Sequence, residues 1–263
     1  MAVTPDPAFL DEALAVALRA ADAAEAEILP RFRSSDFSVA TKADATPVTE
    51  ADRAAEAAIR GVLRAAFPAH AILGEEEGRE GEGEFTWLVD PVDGTRAFVR
   101  GYPFFSTQIA LLHAGELVLG VSSAGAFGER AWARHGGGAF IDGKPVRVSG
   151  TRAFDAGCAI STGNLATLAA DRHRWDVLAQ LVRRAGRTRG YGDFLHYHLL
   201  ARGAIDLVIE SDLNILDIAA LVVIVREAGG IFTALDGAPI GLETSSALAG
   251  PPDLHAQALR AFA

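Results

Sequence analysis

A run of core-type residues that ends in charge constrains this chain more than any other feature. Trp87-Leu88-Val89 leads straight into Asp90-Pro91-Val92-Asp93-Gly94-Thr95. Just upstream, Ala71-Ile72-Leu73 ends in the same manner at Gly74-Glu75-Glu76. Both runs read as short buried strands, Ala71–Leu73 and Thr86–Val89, each delivering carboxylates at its C-terminal end. Packing gives no reason for two carboxylates three residues apart at a strand end. Oxygen donors of this kind hold hard divalent cations. The Gly94-Thr95 pair offers backbone N–H groups and a hydroxyl, which suit a phosphate and a water.

The rest of the chain supplies a scaffold for those strands. A first helix starts with Asp6 as N-cap and Pro7 behind it, and runs toward Leu29 with Leu10, Leu14, Leu18 and Ala21 on one stripe. A loop is expected from Ser34 to Pro47. Thr49-Glu50-Ala51-Asp52 then opens a second helix in the manner of a capping box. Ile59, Val62, Leu63, Ala66 and Phe67 form its apolar face, and Pro68 stops it. Phe104–Leu112 and Leu117–Ser122 predict a hairpin at Ala114-Gly115; Gly138–Ile141 and Pro145–Ser149 predict another at Asp142-Gly143.

Beyond Gly150 strands and helices alternate. Ala159–Ser161 and Asp206–Ile209 read as strands, and Trp175–Ala185 as a helix with Val177, Leu178, Leu181 and Val182 inward. Asp193–Ala201 is a further helix. Asp217 opens a nearly all-apolar one that ends at Ala228 before Gly229-Gly230. The expectation is an α/β protein with an α+β subdomain over residues 1–150 and an α/β subdomain over 151–263.

The formal net charge of −10 excludes general affinity for nucleic acid. No apolar run approaches the roughly 20 residues that cross a bilayer, and no secretory signal precedes the first helix, so a cytoplasmic protein without membrane contact is expected. The single cysteine, Cys158, reads as an inert core thiol.

Taken singly, each acidic residue has a plain explanation. Asp52 completes a helix cap, Asp217 is an N-cap, Glu75 and Glu76 belong to a solvated acidic loop, and Asp90 and Asp93 flank a turn. Their joint occurrence argues otherwise. Two carboxylates about 4 Å apart repel by roughly 4 kcal/mol at an effective dielectric near 20, so a converging set takes up protons or binds cations. Oxygen donors without a Cys/His cluster point to Mg²⁺, with Mn²⁺ as the other candidate.

Gly74-Glu75-Glu76, Trp87–Thr95, Asp217-Ile218-Ala219-Ala220 and Glu227-Ala228-Gly229-Gly230 together resemble the signatures of the inositol monophosphatase family, in its order and spacing. The resemblance implies a layered αβαβα sandwich like the inositol monophosphatase/fructose bisphosphatase fold, Mg²⁺-dependent phosphate-monoester hydrolysis with two or three ions, and a homodimer. It implies that Glu75, Asp90 and the Val92 carbonyl hold one ion, that Asp90, Asp93 and Asp217 hold a second, and that Glu76 reaches a third through water. It pairs Thr95 with Asp52 to orient the attacking water, and turns the Gly94 and Thr95 N–H groups toward the phosphate. Direct in-line hydrolysis follows, with no phosphorylated residue. The family usually carries Trp before the last aspartate; here Leu216 stands there.

Within the family the chain is most similar to the histidinol-phosphate phosphatase branch, through Thr46–Asp52, Asp93-Gly94-Thr95-Arg96-Ala97-Phe98 and Tyr191-Gly192-Asp193. Histidinol phosphate carries an ammonium and an imidazole, and Asp193 and Glu210 are placed to offer them carboxylates. Inositol 1-phosphate or a related sugar phosphate is the alternative substrate, and a regulatory binding protein of the same fold the alternative of another class. His196 and His198, two apart on one helix, point differently and read as structural or surface groups.

Overall fold

The structure is a computed structural model that describes residues 5–34, 37–41 and 47–262. Helix α1 (Pro7–Ser34) comes first, followed by the paired strands β1 (Val39–Thr41) and β2 (Pro47–Thr49) and by α2 (Glu50–Ala66). Strands β3 (Ala71–Gly74), β4 (Gly78–Glu80) and β5 (Phe85–Asp93) lead to the short helix α3 (Thr95–Val99). A meander follows: β6 (Ser106–His113), β7 (Glu116–Ala124), β8 (Glu129–Arg134), β9 (Gly138–Ile141) and β10 (Lys144–Val146). The remainder comprises β11 (Ala159–Thr162), α4 (Ala166–Ala170), α5 (Arg172–Arg184), β12 (Arg187–Arg189), α6 (Asp193–Ala201), β13 (Leu207–Ser211), α7 (Ile215–Glu227), β14 (Ile231–Thr233), β15 (Ser246–Gly250) and α8 (Pro252–Phe262).

Two sheets organise these elements. The first has eight strands in the order β10-β9-β8-β7-β6-β5-β3-β4, antiparallel except where β3 runs beside β5. The second has five, β12-β11-β13-β15-β14, with β11 parallel to both its neighbours and β15 antiparallel to both of its own.

Alternation along the strands decides the layers. Trp87, Val89, Ile109 and Leu111 pack against α1 and α2 on one face of the first sheet. Leu88, Ala110, Ala131 and Ala133 point the other way, onto α6 and α7, which also meet Val208, Ala247 and Ala249 of the second sheet. The far face of that sheet packs against α4, α5 and α8 through Ile160, Leu207, Leu248 and Leu254. The result is an αβαβα sandwich with α6 and α7 as its middle layer. Gly120 makes the closest approach there, since a Cβ on it would lie 2.3 Å from the Ala220 carbonyl oxygen of α7.

Several boundaries differ from the sequence reading. The first helix passes Pro30 and continues to Ser34, because its last turns are packed: Ile28 is buried and the Phe32 ring lies 4.8 Å from that of Phe105. Val39–Thr41 forms a strand within the expected loop, whose other residues lie partly outside those described, as does Thr46. Ala66 and Val182 are exposed rather than inward. The apolar helix starts at Ile215 with Asn214 as N-cap, so Asp217 is its third residue and completes a capping box. Strand β8 had no counterpart in the sequence reading. Cys158 is buried, and burial pushes its thiol up to about 12. Among the described residues no helix is long and apolar enough to cross a membrane.

Candidate active site

The site is built where β5 ends. In a regular strand, residues three apart face opposite sides of the sheet. Asp90 pairs with Gln108 and Asp93 with Ser106, so three steps on β5 match two on β6, and the extra residue is a bulge at Pro91-Val92. Pro91 has no N–H to lose from the ladder there, and its carbonyl accepts from the Thr107 hydroxyl at 2.9 Å. The bulge turns Val92 into the α1/α2 core and brings Asp93 round to the face of Asp90.

The first turn of α7 meets that face. Oxygens of Asp90, Asp93 and Asp217 lie within 4.8 Å of one another. Asp90 and Asp93 are 2% and 8% exposed, and burial holds both carboxyls well above their usual range, with the neighbouring carboxylates adding to it. For Asp90 the added repulsion comes from Glu75, Asp93 and Asp217. Asp217 is pushed up to about 6, again chiefly by burial, against the helix-cap bond from the Asn214 N–H. Carboxylates forced together without compensating cations suit a divalent metal, and these donors fit one that prefers oxygen.

Helix α2 holds two limbs of the site from one face. Asp52, Glu56 and Arg60 succeed one another at turn spacing and are all buried. Asp52 accepts from the Thr49 N–H at 2.8 Å and faces the Thr95 hydroxyl at 3.2 Å, a hydroxyl also 3.0 Å from the Val92 carbonyl. Burial raises the Asp52 carboxyl, and these hydrogen bonds pull against it. One turn on, Glu56 accepts from the N–H groups of Glu76 at 2.7 Å and Glu77 at 3.1 Å. Arg60 pairs with Glu56 at 2.8 Å and donates to the Gly78 carbonyl. Gly74 leaves room for this clamp: a Cβ there would sit 2.1 Å from Glu56 Oε1. The Glu75 N–H bonds the Val89 carbonyl at 3.1 Å, so the Glu75-Glu76 turn is fixed against β5.

Gly94 takes φ 89° at the start of α3, a left-handed conformation suited to glycine, and a Cβ there would meet the Phe104 carbonyl at 2.8 Å. From the carboxylate cluster a recess opens toward α6 and β13. Asp93, Asp193, Glu210 and Asp217 line it together with Asn164 and Tyr197, and among the described residues that line it none is basic. Asp193 has φ 46°, uncommon for a residue with a Cβ, and its carboxyl is pushed up to about 6 by burial and then by Glu210. Glu210 accepts from the Asn164 N–H at 3.1 Å and the Tyr197 hydroxyl at 3.0 Å.

Thus Asp93, Asp217, Asp193 and Glu210 share one cavity, while Asp52 and Thr95 meet each other just past the end of β5. Tyr197, Asn164 and the setting of His196, fully buried beside Glu210, were not evident from the sequence. A signal existed: Asp193, His196 and Tyr197 stand at i, i+3 and i+4 and share a helix face. His198 turns away to bond Glu129 and Ser122.

Comparison with known proteins gives a consistent result. The family model described as "Inositol monophosphatase family" matches residues 10–263. A histidinol-phosphatase of Mycobacterium tuberculosis is 43% identical over 255 residues, covering 94% of this chain and 96% of that protein. One from Streptomyces coelicolor is 41% identical over 261 residues, covering 96% and 97%. Among solved structures, the extragenic suppressor protein suhB from Bartonella henselae superposes with a TM-score of 0.87 at 30% identity, covering 95% of this chain and 98% of that one.

Proposed function

The chain belongs to the inositol monophosphatase family and is a phosphatase, and from that premise we propose that it is a Mg²⁺-dependent histidinol-phosphate phosphatase. The observation that carries this reading is the recess in which the three-carboxylate cluster continues into two further acids, Asp193 and Glu210, with no basic residue along its lining among the described residues. A phosphate ester drawn in by bound cations would then present its alcohol portion to carboxylates. A substrate carrying an ammonium and an imidazole gains charge-assisted hydrogen bonds there; a neutral polyol does not.

In this reading Glu75, Asp90 and the Val92 carbonyl hold one Mg²⁺, Asp90, Asp93 and Asp217 a second, and Glu76 lies at the edge for a third. When bound, such ions lower the pKa of a coordinated water and stabilise charge on the departing oxygen. The chain's own groups do the rest. Thr95 offers its hydroxyl to the attacking water, and Asp52 holds that hydroxyl in place. The Gly94 and Thr95 N–H groups bind phosphate oxygens. Asp193 and Glu210 grip the cationic end, which aligns the ester for in-line attack. Asp217 and the recess acids come from residues 151–263 and the β5 ligands from 1–150, so we read these as two subdomains that complete one site.

We also read the protein as a cytoplasmic homodimer. Exposed Phe104 and Phe127, with ring centroids 5.9 Å apart, are suited to a subunit contact. Light scattering on the eluting peak tests this, and a monomer overturns it.

The functional test is phosphate release from histidinol phosphate and inositol 1-phosphate in parallel, with and without Mg²⁺. A Mg²⁺-dependent preference for histidinol phosphate is expected. Preference for inositol 1-phosphate overturns the substrate, and turnover after complete chelation overturns the metal.

A further inference from the structure

His196 is the buried histidine that the proposed chemistry leaves unused. It is 0% exposed and does not line the recess, whereas its neighbours Tyr197 and Glu210 do. Its two ring nitrogens have different surroundings. Nδ1 lies 3.4 Å from the Ser161 hydroxyl oxygen, and that oxygen accepts from the Tyr191 N–H at 3.3 Å. A serine hydroxyl that accepts on one side still has its proton to give on the other. Donation to Nδ1 makes Nδ1 an acceptor and leaves the ring proton on Nε2.

Nε2 faces Glu210. It lies 3.1 Å from Oε2, yet approaches too obliquely for a hydrogen bond and is left as a buried polar atom without one. Buried polar atoms in that condition are uncommon and call for an explanation. The ring cannot easily turn elsewhere, since Tyr197 packs edge-on against it with centroids 4.2 Å apart. Glu210 is equally confined. The Asn164 N–H and the Tyr197 hydroxyl hold its two oxygens, and the backbone of Gly163 is pressed so close that a Cβ there would lie 1.7 Å from Oε1. Asp193, three residues earlier on α6, faces both members of this pair, and Asp93 and Asp217 face Glu210 from the metal side of the recess.

We propose that His196 is a positioning residue: held in its Nε2–H form by the Tyr191–Ser161 relay, it fixes the Glu210 carboxylate in the orientation that receives the cationic end of the substrate. The proposal rests on the reading of Glu210 as a substrate ligand. Its consequence is selectivity rather than chemistry. A carboxylate held by several donors keeps one geometry before substrate arrives, which favours a cation at a fixed place and offers little to a neutral hydroxyl.

The test compares KM and kcat for histidinol phosphate and inositol 1-phosphate in His196→Leu, His196→Gln, Ser161→Ala and Glu210→Gln, with thermal melts alongside. Gln can place an amide N–H near the position of Nε2. His196→Leu is expected to raise KM for histidinol phosphate several-fold, because it removes the buried ring nitrogen that lies 3.1 Å from the Glu210 carboxylate and confines it, with kcat and the inositol 1-phosphate constants little changed. His196→Gln should recover most of that loss, and Ser161→Ala should show part of it. Equal loss on both substrates, or a Gln variant no better than Leu, overturns the proposal. Should His196→Leu fail to fold, Ser161→Ala decides, and unchanged discrimination in it overturns the proposal. Glu210→Gln separates the two layers of the argument. If it leaves discrimination intact, the acidic-recess reading fails; if it abolishes discrimination while His196→Leu preserves it, only the positioning role fails.

Discussion

At the scale of single residues the carboxylates at the end of β5 carry the sharpest predictions. Asp93→Asn should lower kcat/KM at least about a hundredfold, since on the proposed assignment it removes a ligand from a two-metal centre, and with it several kcal/mol of transition-state stabilisation. Phosphate-release kinetics check it, and activity within threefold of the parent would sink the metal assignment. Asp193 and Asp217 give a pH signature. Both are raised on folding from near 3.8 to about 6, by burial first. The folded chain therefore binds their protons more tightly than the unfolded chain, and the two groups cost stability above their unfolded pKa. That cost is full above about pH 6 and gone below about pH 4. Metal-free protein should accordingly melt higher as pH falls from 7 toward 5, while Mg²⁺ should raise the melting temperature most at pH 7. A metal-free melt that falls steadily over that range would contradict the burial of these acids. The acids themselves were legible because apolar runs led directly into them. The bulge that sets Asp90 and Asp93 on one face was not, because register belongs to the partner strand as much as to β5.

Secondary-structure elements place these residues, and α2 does so for two limbs at once. Asp52 reaches the Thr95 turn and Glu56 the Glu75-Glu76 turn, one helical turn apart. Glu56→Gln should weaken Mg²⁺ binding roughly ten- to a hundredfold, the range seen when a group supporting metal ligands is altered; calorimetric titration checks this, and unchanged affinity would leave the clamp without influence on the site. Arg60→Met should destabilise the fold by about 3–5 kcal/mol, because it leaves a buried carboxylate without its partner; urea unfolding measures it. The helix itself was evident from its capping box. Glu56 and Arg60 were not singled out, since charges inside an amphipathic pattern normally face solvent, and only the returning β3–β4 turn covers them. Strand β8 escaped notice for a related reason. Its inward residues are Ala131 and Ala133, too small to raise the apolar signal that marked the flanking strands.

For the whole molecule the middle layer matters most. The Asp217 start and the Gly229-Gly230 stop made α7 plain as a helix, but not that it would lie between two sheets, because apolar residues on every side show no preferred face. Gly120→Ala tests its seating. With the added carbon 2.3 Å from the Ala220 carbonyl, overpacking should cost about 1–3 kcal/mol and weaken Mg²⁺ binding by shifting Asp217; a melt and a titration indistinguishable from the parent would refute the close approach. The position of α7 along the chain has a further consequence. Strands β3 to β10 are complete by Val146, yet the helix that covers their inner face spans Ile215–Glu227. A growing chain therefore carries the apolar surface of Leu88, Ala110 and their neighbours uncovered while roughly 80 more residues, from Val146 to Glu227, are added, at about 5–20 residues per second. Chains halted in that interval should aggregate or engage chaperones, and those released after Glu227 should not, which makes the order of synthesis a hazard this fold must pass before its carboxylates can be brought together.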